Sequence, residues 1–403
     1  GGGVVSTTTG NISITGVASS AGNEAYGVFM QNSGAQITTV SGAITLNGTA
    51  GVGGSATGVR LRSNASITST GTGTVGAITL NGTGYGGNTG VDIVTGASIT
   101  TQDADVVMQA TNSGGVGIGG GTITTNGTNA TKGNVTFIGD YFYATSAVAA
   151  TGTLTIRQYT NGTTMAVGPN SGATICVTSS HLSLLTAAAY VFGDANTGSI
   201  TINTTNDFGT KNVTFISGGN ITFGGAYTST GNGALTATAV GNINVNAGIT
   251  LAGGTLTLQS TAANTTITTT AAMAVGAGSM TLTADDVVLG GNLSGTGTIT
   301  LQPYSTSRVV RINNGTADGT IWHLSTTEIG YLVDGWNSIV LGRSDAASNY
   351  LYIGTSTWND AVTFRGYIAV ATGAIAAVGN ASILFNPVSH AEAYGGGSLS
   401  TQG

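Results

Sequence analysis

The chain has 403 residues, with 68 Gly, 3 Pro and 1 Cys, and its 9 Lys and Arg against 15 Asp and Glu leave a net charge of −6. Charged residues are 6% of the chain, about a quarter of the usual globular share. Nine cations over this length give no footprint for a phosphate backbone or an anionic membrane, so nucleic acid is excluded as a partner. No run of about 18 apolar residues exists, so no transmembrane segment is expected, and a 40% hydrophobic content in regular order argues against disorder.

Residues 1–130 read as long repeated coils. AITLNGT at 43–49 returns at 77–83, GVRLRSNASIT at 58–68 returns as GVDIVTGASIT at 90–100, and ISITG at 12–16 with GVFMQNSGAQIT at 27–38 is an earlier copy. Each unit of roughly 32 residues holds three short strands. Strict alternation turns Ile44, Leu46, Val59, Leu61 and Ile67 inward and Thr45, Arg60, Arg62 and Thr68 outward. One unit cannot bury its inner face alone; stacking such units does so. Asp103 and Asp105 share a strand face and are the metal candidates, for Ca²⁺, although no glycine-rich D-x-D-x-D loop surrounds them. A solvated surface pair is the competing reading. Sequons at Asn47, Asn64, Asn81, Asn126 and Asn161 are of the kind that an Asn- and Thr-rich chain produces by chance.

Residues 131–300 read as shorter coils that include a first helix-containing module at 153–218. Tyr141, Phe142 and Tyr143 offer a stacking face for sugar or, on the structural reading, put two of the three into a corner where coil length changes. Cys176 in ATICVT has no partner for an intramolecular disulfide and fits a buried strand position. From NVTFIS onward, Val213, Leu235, Leu256, Met280 and Ile299 follow at separations of 22, 21, 24 and 19, one coil per roughly 20 residues. The fold expected is all-β, a parallel β-helix (β-solenoid) with two short helices packed on it. Its coils pair at about 4.8 Å with Thr and Asn ladders, roughly 14 to 17 of them in a rod on the order of 65 to 80 Å. An antiparallel sandwich or barrel explains the alternation but not the repeat register.

The second helix-containing module spans 298–366, followed by C-terminal coils and a tail at 367–403. Ser325 with Glu328 is a capping-box pattern, Leu324 and Ile329 form a hydrophobic staple, Ile329, Leu332 and Val333 share a face, and Gly335 stops a helix of about two turns. HLSLLTAAAYVFGDANTGSITI at 181–202 matches HLSTTEIGYLVDGWNSIVL at 323–341 at an offset of 142, which makes His181 and His323, Ser183 and Ser325, and Gly193 and Gly335 equivalent. LTIRQY and ITLQPY precede the two copies; NVTFISG and AVTFRG follow them. The two paired histidines precede helix starts and read as structural, His390 stands apart, and Trp322, Trp336 and Trp358 are expected to seat the second helix.

This order of LQPY, strand, short helix ending in D-G-aromatic, SIVLGR and W-N-D-AVTF resembles a recurrent module of filamentous-haemagglutinin-like bacterial adhesins, of the two-partner-secretion or autotransporter-passenger type. The resemblance implies a right-handed parallel β-helix, an extracellular place on the bacterial cell surface, and adhesion or an extracellular filament. It implies no cofactor. The partners expected are a host or neighbouring cell surface, with glycans among the targets, and the solenoid itself, continued end to end. Neither GGGVVSTTTG nor GGGSLSTQG reads as a cap, and an opening without Met or signal peptide reads as a portion of something longer. The alternative is a carbohydrate-binding or polysaccharide-degrading β-helix. Asp285 and Asp286 are the only adjacent acids, and neighbours in a strand point to opposite faces, so no catalytic residue and no enzyme is expected.

Overall fold

Short alternating strands bounded by Gly, Asn and Thr turns cannot close a core by themselves, and this chain closes one by winding. The computed structural model describes residues 3–19, 24–53, 56–86, 88–111, 114–169, 172–203, 206–316, 318–393 and 398–402. The described residues form an all-β parallel β-helix with two one-turn helices, and the chain divides into two compact units, Gly1–Ile200 and Thr201–Gly403.

In the first unit each long coil carries three strands, as in Ile44–Thr49, Val59–Arg62 and Ser66–Ser69, and each strand pairs in parallel with its counterpart one coil away. Ile12, Ile44, Ile78, Val106, Val135, Leu154 and Tyr190 stack in one column. The two AITLNGT copies therefore lie residue upon residue, and Asn81 donates to the Asn47 side chain at 2.9 Å. Gly16, Gly48 and Gly82 form one glycine ladder, facing Gly27, Gly58 and Gly90 where the chain turns from the first strand into the second. Among the terminal glycines expected to mark bare ends, Gly1, Gly2, Gly395 to Gly397 and Gly403 lie outside the described residues.

In the second unit Val213, Leu235, Leu256, Met280 and Ile299 pair in the register their spacing predicts, and Ile339, Val362 and Ile383 continue the column. The step from Ile299 to Ile339 is long because the module adds a strand and a helix within that coil.

Corner aspartates tie coil to coil. Asp103 accepts from the Thr128 N–H at 2.6 Å and its hydroxyl at 3.1 Å, and Asp140 accepts from the same two groups of Thr160 at 2.8 and 2.5 Å. In the second unit Asp207 binds the Thr230 N–H at 2.9 Å and its hydroxyl, and Asp285 binds the Ser305 N–H and hydroxyl, both at 2.7 Å. Each carboxylate thus closes a charge-assisted clamp onto a residue 20 to 25 positions later.

The two modules share a topology that corrects their alignment. In the first, Met165–Val167 pairs in parallel with Ile175–Val177, and a helix, α1, follows at Ser179–Leu182. In the second, Val310–Ile312 pairs with Trp322–Leu324 before α2 at Thr326–Ile329. The equivalent N-caps are Thr178 and Ser325, and the equivalent N3 residues are His181 and Glu328, so His181 is not the counterpart of His323. His323 lies in a strand two residues before its cap. Gly193 matches Gly342 rather than Gly335: each ends a strand, Ala189–Gly193 or Ser338–Gly342, that pairs with the strand opening its module, Thr153–Arg157 or Thr298–Gln302, with φ of 81° and 89°. The repeated HLS misaligns the copies because it falls on different structural positions.

The Ser325–Glu328 capping box forms, but α2 is one turn rather than two and ends at Gly330, before Gly335. Leu332 leaves the helical path to bridge Leu293 in parallel, and Glu328 binds the Leu289 N–H at 3.0 Å. In α1 the ring Nδ1 of His181 accepts from the Thr178 N–H at 3.3 Å, which requires that nitrogen unprotonated. Burial pushes the His181 pKa below its ordinary 6.5, against an opposing backbone hydrogen bond. The folded state then binds this proton less readily than the unfolded one, so the cap contributes fully above about pH 6.5 and is lost as pH falls through the lowered value. NMR titration is expected to place His181 below 6.5 and to move the Thr178 amide resonance with the same midpoint. A Thr178 amide resonance that does not follow the His181 midpoint would show that His181 is not the acceptor.

Candidate functional site

In the second unit, the outer face of the sheet built on the Val213 to Ile383 column carries the site. Burial of Leu256 and Leu258, Met280 and Leu282, and Ile299 and Leu301 turns the residues between them outward. Thr214, Thr236, Thr257, Thr281 and Thr300 form a ladder, and two residues further along the strands Thr238, Gln259, Thr283 and Gln302 form a second. Gln302 donates from its side-chain amide to Thr283 Oγ1 at 3.1 Å.

Pro303 has no N–H to extend the pairing, and the chain continues as the segment Tyr304–Ser307, which walls the face. Asp285 clamps this wall from the preceding coil through Ser305. Arg343, from the following coil, donates to the Pro303 carbonyl at 3.1 Å and the Tyr304 carbonyl at 2.8 Å. Its remaining donors hold Asp345 in a two-point pair at 2.7 and 2.6 Å, which keeps the Asp345 carboxyl below its ordinary range. The groove so formed encloses about 660 Å³ and is lined by Thr257, Gln259, Thr281, Gln302, Tyr304 and Arg343, among others. Each lining side chain carries a polar group, and the one guanidinium is paired with a carboxylate.

Apart from Asp285, which clamps its wall, the candidate residues singled out in the sequence lie away from this groove. Asp103 and Asp105 do line one small cleft, of about 210 Å³. The Asp103 oxygens are occupied by the Gly73 and Thr128 N–H groups, which hold its pKa low, and Asp105 accepts twice from Asn134, at 2.8 and 3.0 Å. Lys132 shares that cleft and binds the Gly73 carbonyl at 2.6 Å. Their geometry is that of a loop fastener. Asp285 and Asp286 do not share a strand as expected: Asp285 sits in the corner before the strand Asp286–Leu289, buried in its clamp, and Asp286 opens that strand, half-buried. Among the described residues no group of three His, Cys, Asp or Glu side chains is placed to hold a metal, and no helix is long and apolar enough to cross a membrane.

Tyr141–Ala144 is a strand, so only Phe142 of the aromatic triplet enters the core, not two of the three. Tyr143 folds across Gly117 to donate to Asp92 at 2.9 Å, and Arg60 approaches Asp92 at 3.6 Å and donates to the Tyr26 hydroxyl at 2.9 Å. Burial raises the Asp92 pKa, and burial together with Asp92 raises that of Tyr143. This closed network leaves Tyr141, 53% exposed, beside it. Cys176 also departs from expectation: Ile175 and Val177 take the inward positions, so Cys176 faces outward, half-buried, with burial raising its thiol pKa. Trp322, Trp336 and Trp358 are all buried, and Trp358 lines a small cleft with Ile329 and Gly330 at the end of α2.

The groove has a faint sequence signal in LQPY followed by a distant Arg, and the clamps a clearer one, an Asp with Thr or Ser 20 to 25 residues later. Comparisons with protein-family models, characterised proteins and solved structures find no match.

Proposed function

We propose that the chain is a structural extracellular protein of the bacterial surface, a β-solenoid scaffold acting in adhesion. The observation that carries this reading is the division of labour among side chains. Acids such as Asp103, Asp140, Asp207 and Asp285 are committed to holding coils together, while the outer sheet face presents register-matched hydroxyls and amides. Such a surface suits contact repeated along a scaffold better than chemistry at one point.

Displaying the chain on a non-adherent bacterium tests the adhesive reading. Retention on epithelial monolayers or neighbouring cells should rise well above that of the same bacterium displaying an unrelated β-solenoid. Equal retention of the two would overturn it.

A further inference from the structure

We infer that the groove walled by Tyr304–Ser307 is a binding subsite for a neutral oligosaccharide, spanning two to three sugar rings. The inference deepens the adhesive reading and rests on it by naming what the scaffold grips. The floor spans the three rungs Leu256–Ser260, Met280–Thr283 and Thr298–Gln302, which are about 4.8 Å apart, close to one sugar ring per rung. Its volume of about 660 Å³ lies within the range of small-ligand sites.

Chemistry selects the ligand class. Thr257 and Thr281 offer hydroxyls and Gln259 and Gln302 offer amides, groups that both donate and accept, as sugar hydroxyls do. Tyr304 adds an aromatic ring at the wall, suited to the apolar C–H face of a pyranose. The Arg343–Asp345 pair cancels its own charge, so a polyanion gains no net attraction here. A peptide cannot add as a strand, because the floor strands are already paired on both sides. The wall is set before any ligand arrives: Asp285 fixes Ser305, Arg343 fixes the Pro303 and Tyr304 carbonyls, and Arg308 reaches Asn264 at 2.9 Å and the Gly319 carbonyl at 2.8 Å.

The test is a glycan array carrying neutral, sialylated and sulfated oligosaccharides, probed with the purified chain, followed by calorimetry on the best neutral hit. Neutral glycans are expected to bind. Tyr304→Ala should weaken binding about tenfold or more, Tyr304→Phe should retain it, and the double variant Gln259→Ala/Gln302→Ala should weaken it by a similar factor. Thr214→Ala, on the same ladder outside the groove, should leave it unchanged. Thermal melts check folding, and the double Gln variant decides if Tyr304→Ala does not fold. The inference is overturned if no neutral glycan binds at millimolar concentration, if only sialylated or sulfated glycans bind, or if the groove variants bind normally. Cells that display the chain and adhere without inhibition by any neutral glycan would remove the groove and leave the adhesive reading standing. Glycan binding by the purified chain without adhesion of those cells would do the reverse.

Discussion

Gly48→Ala is expected to destabilise the first unit by about 3 kcal/mol or more. An added Cβ would lie 1.9 Å from the Gly58 carbonyl oxygen and 2.5 Å from its carbon, backbone atoms that cannot rotate away. Neither strand is free to retreat, since Gly48 is paired in register with Gly16 on one side and Gly82 on the other. Gly73→Ala separates crowding from backbone strain: at that position nothing lies within 4 Å, but φ is +86°. It should cost only about 1 kcal/mol. Urea denaturation of the two variants against the parent measures both. Equal midpoints for Gly48→Ala and Gly73→Ala would show that the turn between strands is not packed as described.

Asp285→Ala should cost about 3 kcal/mol at neutral pH and less in strong acid. Its carboxylate accepts from the Ser305 N–H and hydroxyl and from the Asn264 N–H at 2.9 Å, so truncation leaves two backbone donors without their acceptor. Burial alone would raise the Asp285 pKa, but these hydrogen bonds outweigh it and the value is held below the ordinary 3.8. A carboxyl depressed in the folded state contributes fully above its unfolded pKa and loses that contribution as pH falls through the folded one. The stability gap between parent and variant should therefore narrow as pH falls below about 4, as read by denaturant midpoints across pH. Asp286 supplies the opposite sign. Burial, the leading cause, raises its pKa, so its charge opposes folding at neutral pH, and Asp286→Asn should stabilise the unit slightly there. A gap for Asp285→Ala that persists unchanged to pH 2 would mean that the carboxylate is not the clamp.

Coil register was legible because it is written twice, once in the alternation and once in the spacing: Ile44 finds Ile78, and Leu235 finds Leu256, where the repeats place them. The start of α2 was legible because a capping box is local, needing only Ser325 and Glu328. Its length was not. Ile329, Leu332 and Val333 carry a helical spacing, yet the parallel bridge from Leu332 to Leu293, a contact 39 residues apart in sequence, takes precedence over local propensity. Identity misled at His181, where the residue doing the work of Glu328 is chemically unlike it and shares only the capacity to accept a proton donor at N3. The groove was the least legible part, since it exists only when Gln259, Thr281, Tyr304 and Arg343, from four successive coils, are brought side by side.

The doubled strands of the two modules bear on how such a chain tolerates change. Met165–Val167 with Ile175–Val177, and Val310–Ile312 with Trp322–Leu324, each close a bypass in which the backbone leaves the stack and rejoins it pointing the same way. Because the exit and re-entry strands fasten to each other, the number of residues between them does not set the pitch of the coils that follow. The intervening lengths already differ, seven residues at 168–174 and nine at 313–321. Lengthening such a loop costs closure entropy that grows only logarithmically, about 0.6 kcal/mol per doubling. These two bypasses are therefore natural ports, places where an epitope, a protease site or a whole foreign domain can be spliced in while the threonine and glycine ladders keep their step.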